Sequence, residues 1–521
     1  RHIAIGIPSM YGQYMEDKFD ALGLMYRLEK TAEKLMVKVL EKMTPDYVTA
    51  KTFRHLYDVL VLFKQGLSLD GINNQGFDSN LEMFKYSLTS PSFSLDQYID
   101  LFQFMAQNVQ QIIDEYFLDV YEEPLRQIIP QIFSLDSNLE DLQYKQKLQI
   151  ESEKFLRENL YSAFLLQDLD NFISSTISTL QGLISNYSDD FIENMLSYDP
   201  DLTISPLYRD TLTMDNPVFL GAKAYFLKKL IAYEFPVPPG FVLTSEIFRH
   251  KETVTRHPYM KQEIDGFIEA QIRDIEKMSG KKFGNPQNPL LFSVRSGTSI
   301  SLPGAMKTFL NVGMNEKIAE AFSRVPGFEW AAWDCYRRFL QSWGMAYGIE
   351  RDLFDEVMLT HKTNHQVEKK AQFTPEQMRD ITALYHQVLI DKQVRIETDP
   401  FEQLILAINN VLHSWNSESA MNYRNHMQIA DEWGTAVIVQ EMVLGNLSKS
   451  SGSGVIFTNS PFNGQSGLNL YGDFALCSQG EDVVSGLVNT LPVTERQRLN
   501  YYTDCSISLE SAFPDIYRQL L

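Results

Sequence analysis

The sequence predicts an α+β protein in two parts, an all-helical N-terminal domain followed by a domain that mixes strands with helices. Two observations carry that reading. From residue 1 to about 200, apolar side chains recur at three and four positions. Beyond residue 216, short β-rich runs alternate with helical stretches, the texture of an α+β domain.

In chain order, the first helical pattern starts at Ala21-Leu22-Gly23-Leu24 and continues through Leu35, Val37 and Leu40. Similar patterns recur around 47–66, 95–117, 120–134, 149–165 and 169–187. Breaks rich in Gly, Asn, Ser and Pro separate them, as in Gly71-Ile72-Asn73-Asn74-Gln75-Gly76 and Thr89-Ser90-Pro91-Ser92. No repeat period emerges, so a bundle or irregular helical domain is expected over 1–200 rather than a solenoid. This half offers no catalytic constellation, and the segment Met10 to Asp20 is at most a contact segment. Pro, Asp, Ser and Thr dominate from Asp199 to Pro217 without period, which places a linker at 201–215. The strands expected after it are 240–244, 290–294, 435–443, 454–458 and 468–477. Residues 315–430 return to helix as an insertion, with Phe339, Trp343 and Tyr347 at helical spacing and expected in its core.

Composition limits the partners. The 521 residues are 44% hydrophobic, enough to bury several cores. A net charge of −21 argues against nucleic acid and anionic membrane. An acidic chain that binds a polyanion must instead build a local basic pocket. Cys335, Cys477 and Cys505 are widely spaced, which fits neither a disulfide framework nor a zinc site, and a reducing, cytoplasmic location is expected. No apolar run approaches the ~20 residues that span a bilayer, and no signal peptide opens the chain. With Arg1 first and a helical pattern at its last residues, the chain is expected to be a piece of a longer protein.

Five segments of the second part share one chemical theme. Residues 293–304 read Ser-Val-Arg-Ser-Gly-Thr-Ser-Ile-Ser-Leu-Pro-Gly, a loop-like stretch after the buried-looking Pro289–Phe292. It offers a cation at Arg295, hydroxyls at Ser296, Thr298 and Ser299, and glycines that let backbone approach a polyanion. A surface turn with a solvated arginine reads as well from this segment alone. Gly221-Ala222-Lys223-Ala224 sets a lysine among small residues at a helix start, where it can meet a phosphate or simply face solvent. Ala436-Val437-Ile438-Val439 is a buried strand leading to Gln440-Glu441-Met442-Val443, whose edge has the donor–acceptor spacing of an adenine, or is only a strand end. Gly445 to Gly454 is a glycine–serine hairpin between two strands, either a phosphate lid or a flexible connection. Gln479-Gly480-Glu481-Asp482 puts two carboxylates at a strand end, for ribose hydroxyls, a Mg²⁺ shell or merely a helix N-terminus. Together they favour nucleotide binding, without the phosphate loop G-x-x-x-x-G-K-[ST].

In this order the segments Ser293 to Asn315, Gly434 to Glu441, Ser451 to Thr458 and Gln479 to Val484 resemble the nucleotide-binding domain of the pyruvate phosphate dikinase and phosphoenolpyruvate synthase family. The resemblance runs from about 216 to the C-terminus. It implies an ATP-grasp-like fold, ATP and Mg²⁺ as cofactors, and phosphoryl transfer to a histidine on a swivelling domain. That domain and a phosphoenolpyruvate/pyruvate domain are expected on the same full-length polypeptide. By position, Lys223, Arg295 and Arg338 (or its neighbour Arg337) would serve the triphosphate as catalytic residues. Gln440, Glu441 and Val443 would line the adenine, Ser453, Gly454 and Gly304 would contact the nucleotide, and Glu481 with Asp482 would meet the ribose. The family's metal ligands are expected beyond Leu521, so none is assigned here. The family's Gly-Gly-Lys-Gly is Gly221-Ala222-Lys223-Ala224 in this chain, Lys307 stands where an acid is usual, and Thr-Arg-Asn-Pro is Thr458-Asn459-Ser460-Pro461. No Thr-Ser-His-Ala phosphoacceptor occurs among the nine histidines, and His361 and His365 lie in the helical insertion. A related dikinase with another acceptor, such as a glucan or an antibiotic, and a non-catalytic binding module are the alternative expectations. The resemblance assigns no role to 1–200.

Overall fold

The apolar, mostly β-branched run Ala436-Val437-Ile438-Val439 forms the middle of the principal sheet in the computed structural model of this chain. The structure describes residues 48–521 except 70, 90–92, 133–140, 163–165, 212, 301, 303, 460–469, 487 and 503–504, with Ile7–Ser9, Gly12–Tyr14 and scattered positions between 24 and 38. The chain divides into two compact units, Arg1–Asp201 with His250–Glu263, and Leu202–Arg249 with Ile264–Leu521.

The first unit is helical. Helices span Ala50–Leu69, Gln75–Ser87, Leu95–Ile113, Asp119–Ile132, Asp141–Ser162, Leu166–Asn186 and Asp189–Ser197. Five of these follow the expected pattern, whereas Gln75–Ser87 starts inside a stretch read as a break. Asn74 explains the difference, because its side chain accepts from the Phe77 amide and caps the new helix. Ser94 and Gln97 form a reciprocal capping box at the start of Leu95–Ile113. Phe53, Phe63, Phe84, Phe102 and Met105 are buried at the centre. Ile7–Ser9 pairs antiparallel with Gly12–Tyr14. The rest of Met10–Asp20 and most of the run from Ala21 to Leu40 lie outside the described residues.

The second unit carries the principal sheet. Its strands are β1 (Ile204–Pro206), β2 (Gly240–Leu243), β3 (Phe292–Gly297), β4 (Thr308–Val312) and β5 (Ala436–Glu441), all antiparallel to their neighbours in the order β1-β2-β5-β3-β4. Helix α1 (Pro217–Ala232) packs Leu220 and Ala224 onto Ile438, Ala436 and Val242. Helices fill 316–427, including α2 (Glu329–Ala346) and α3 (Pro400–Ser414), and α3 packs against β3, β4 and β5. A smaller antiparallel sheet joins β6 (Gly452–Phe457), β7 (Tyr471–Leu476) and β8 (Leu491–Pro492), over Phe474, Val493 and Leu509. Short helix α4 (Gly480–Val484) follows β7.

Four local expectations are corrected. The stretch 201–215 is not a linker throughout, since it contains β1, an edge strand of the principal sheet. Asp215 there accepts from Thr211 and from the buried Lys228 ammonium at 2.5 Å, contacts that aperiodic polar composition does not reveal. Arg295 belongs to β3 rather than to a loop. Gly445–Gly454 does not close a hairpin, because β5 already pairs with β2 on one edge and β3 on the other, and β6 must find its partner in a separate sheet. Phe339 and Trp343 are fully buried, but Tyr347 ends α2, is 42% exposed, and accepts a hydrogen bond from Asn410 at 3.0 Å.

Candidate nucleotide site

Register brings the first group of residues together. Across β3 and β5, Ser293 faces Gln440 and Arg295 faces Ile438, so strand alternation puts all four on one face. Ile438 packs beneath α1, which places that helix over the same face. The Arg295 guanidinium donates to Gln440 Oε1 at 2.5 Å, while Gln440 Nε2 donates to the Pro238 carbonyl at 3.0 Å. The amide of Gln440 is thereby oriented with its oxygen toward the arginine. Arg295 Nε is buried without a partner, and burial pushes the guanidinium below its usual pKa.

Lys223 reaches this place through a kink. Gly221 has φ 74° and ψ 162° within α1, and a Cβ there would meet the Gly297 carbonyl carbon at 2.3 Å. The Ala222 amide donates to the Thr298 carbonyl at 3.0 Å, tying the helix start to the end of β3. Burial, then the Arg295 charge, hold the Lys223 ammonium below the usual lysine range although the residue as a whole is exposed. Among the described residues neither cation has a carboxylate partner. Ser296 and Thr298 are buried at the strand end, Ser299 is half-buried, and Gly304 turns the following loop at φ 70°. At the far end of β5, Glu441 pairs with Lys281 at 2.7 Å, and Val443 is exposed.

A second group forms where α2 meets α4. Asp334 is fully buried and holds Arg337 at 2.9 Å, Arg338 at 2.9 Å and Lys370 at 3.3 Å. Asn446 Nδ2 also donates to Asp334, at 2.8 Å. Arg338 bridges onward to Asp482, and Glu481 stands 3.9 Å from the same guanidinium. Burial pushes both Asp334 and Asp482 up, but the surrounding cations overcome it. Arg338 acts most on Asp334 and Lys370 most on Asp482, so both carboxyls lie below their usual range. Lys370 is pushed down to about 8 by burial and then by the Arg338 charge. The group borders an open cleft of about 1740 Å³, also lined by Lys449.

The structure thus brings Lys223, Arg295 and Gln440 together. It gathers Arg338, Glu481 and Asp482 in the second group, with Arg338 and Asp482 engaged by each other. Ser453 and Gly454 lie within β6 opposite Ala475 and Phe474, not at a loop tip. Ser448, Ser450 and Ser451 form the turn, with hydroxyls 3.0 Å apart. Sequence reasoning missed Asp334 and Lys370. Asp334 was legible as an acid three and four residues before two arginines on one helix, whereas Lys370 gives no such signal. Among the described residues no three His, Cys, Asp or Glu side chains converge as a metal site, and no helix is long and apolar enough to cross a membrane.

Comparison with known proteins shows what this part of the chain is similar to. Residues 251–500 match the sequence model of the family described as "Pyruvate phosphate dikinase, AMP/ATP-binding domain". That stretch of the chain is similar to the AMP/ATP-binding domain of the pyruvate phosphate dikinase family. It is 35% identical over 302 residues to the pyruvate, phosphate dikinase of Rickettsia conorii, covering 58% of this chain and 33% of that protein. It is 34% identical over 307 residues to that of Clostridium symbiosum, with 58% and 33% covered. The chloroplastic pyruvate, phosphate dikinase of Flaveria pringlei is 35% identical over 311 residues, with 59% and 30% covered. The chain spans about a third of the length of these relatives. The dikinase-family match contains Arg295, Arg338, Gln440 and Glu481, and Lys223 precedes it.

Proposed function

We propose that this chain is the ATP-binding part of a dikinase-like phosphotransferase, which in full moves the β-phosphoryl group of ATP to a histidine on a separate swivelling domain. One observation carries the reading. Arg295 is half-buried on the Gln440 face with its Nε buried and unpartnered, beside Lys223, and among the described residues neither cation has a carboxylate partner. A guanidinium in that condition fits a phosphate oxygen, which supplies both an acceptor for Nε and a counter-charge.

In this reading the nucleotide lies along the Gln440–Val443 end of β5, its phosphates toward Lys223, Arg295 and the Ser296–Ser299 hydroxyls. The principal and smaller sheets act as the two lobes of an ATP-grasp arrangement. ATP supplies the phosphoryl group, and this chain's residues bind and orient it. Arg338 and Asp482 hold α4 to α2 and position the smaller sheet instead of touching nucleotide. Among the described residues no three His, Cys, Asp or Glu side chains converge to hold Mg²⁺, so no step is assigned to the metal. Pyruvate and phosphoenolpyruvate chemistry, like the histidine, belongs to the full-length protein of this proposal.

Titration with a fluorescent ATP analogue tests the site. Each charge-assisted hydrogen bond contributes about 1.5–3 kcal/mol, so Lys223→Ala and Arg295→Ala should each weaken binding by about 10- to 100-fold. Unchanged affinity in both variants would reject the assignment.

A further inference from the structure

We propose that Gln440 is a positioning residue for Arg295, whose neutral amide fixes the guanidinium in the site without cancelling its charge; the inference rests on the nucleotide reading above. The amide has one orientation. Its Oε1 accepts from Arg295 Nη2 at 2.5 Å, and its Nε2 donates to the Pro238 carbonyl at 3.0 Å. A guanidinium can only donate and a carbonyl can only accept, so each end of the amide has the partner its chemistry requires. Gln440 is 5% exposed, and both ends of its side chain are engaged within the protein. In this assignment the amide serves the arginine and not the adenine edge expected of it by resemblance.

The surrounding backbone builds the arrangement. Gln440 lies in β5 between Gly240 of β2 and Ser293 of β3. A Cβ on Gly240 would meet the Val439 carbonyl oxygen at 2.5 Å and Gln440 Cα at 2.9 Å, so β2 closes on β5 only because that position has no side chain. The close approach brings Pro238, two residues earlier, beside the amide, and the Glu441 amide donates to the Pro239 carbonyl at 2.9 Å. On the other edge the Ser293 hydroxyl donates to the Gln440 carbonyl at 3.4 Å. Strand alternation keeps Arg295 and Gln440 on one face, so the arginine meets the amide along the sheet surface.

Charge explains why the partner is an amide. In the same unit Lys228 pairs with Asp215, Lys281 with Glu441 and Arg338 with Asp482. Arg295 has no carboxylate partner among the described residues, and its acceptor is uncharged. A carboxylate in place of the amide would hold the guanidinium but neutralise it, and would turn an oxygen toward the Pro238 carbonyl. The amide supplies the hold alone and leaves Nε and the positive charge to an anionic ligand.

Isothermal titration of the whole chain with ATP, inorganic tripolyphosphate and adenosine tests this. Gln440→Glu should weaken ATP and tripolyphosphate by about tenfold or more and leave adenosine nearly unchanged. Gln440→Met, which keeps the length without the acceptor, should weaken the same two ligands by a smaller factor. It should add nothing in an Arg295→Ala background, because both changes remove one interaction. The methionine variant also carries the test if glutamate impairs folding. Wild-type ATP affinity in both Gln440 variants, with Arg295→Ala still weakened, overturns the inference and leaves the site intact. Equal weakening of adenosine and ATP also overturns it, since the amide then reads the base, as does full additivity of Gln440→Met with Arg295→Ala. If Lys223→Ala and Arg295→Ala both bind normally, the nucleotide reading itself falls.

Discussion

Gly221 has φ 74° and lies where any Cβ would meet the Gly297 backbone at 2.3 Å. Gly221→Ala therefore combines left-handed strain, costing about 1–3 kcal/mol, with displacement of the α1 start from β3. It should lower the thermal midpoint and weaken ATP binding together, whereas Lys223→Ala should weaken binding with the midpoint nearly unchanged. A calorimetric scan of both variants with and without ATP separates the two effects. At this scale the sequence was informative about residue identity and poor about backbone state. Arg295 and Lys223 stood out among their small neighbours, but Arg295 read as a loop residue because Ser, Gly and Thr surround it. What makes it a strand residue is non-local: pairing with β5 on one side and β4 on the other. Of the three small-residue positions around Lys223, only Gly221 is required by geometry, and Ala224 fits as a buried core residue.

The junction between α2 and α4 is an ion network, not a hydrophobic contact. Asp334 there satisfies Arg337, Arg338, Lys370 and Asn446 from a fully buried position. Removing it leaves the buried Arg337 without a carboxylate partner and leaves Asp482 as the counter-charge for Arg338 and Lys370, and breaking a buried pair in this way costs about 3–5 kcal/mol. Asp334→Ala should therefore be strongly destabilising in chemical denaturation, and a loss under 1 kcal/mol would show that water enters the junction. The elements themselves were largely readable: the helices of the insertion, the β5 run and the small-residue start of α1 all have local signatures. Their assembly was less so. The glycine–serine stretch 445–454 has every local mark of a hairpin turn, and only the double pairing of β5 excludes it. Likewise β1, three residues among prolines and aspartates, exists because β2 offers an edge. The carboxylates of Glu481 and Asp482 were visible, as was Arg338, but the pairing of Asp482 with Arg338 and Lys370 was not.

At the scale of the whole molecule, two compact units divide the chain, and the candidate site is built entirely within the second. The dikinase-family match covers 251–500, and the curated relatives overlap just over half of this chain. In the sequence, helical periodicity gives way to mixed texture near residue 200. This shift could not anticipate that His250–Glu263 belongs with the helical unit, because that depends on contacts between segments far apart in sequence. The central claim is that ATP binds where α1, β3 and β5 converge. Hydrogen exchange of the whole chain, with and without saturating ATP, tests it most directly. The account predicts added protection in 220–224, 292–299 and 438–443, with 50–186 unchanged. Protection confined to the helical unit, or absent from these three segments while ATP is bound, would contradict it.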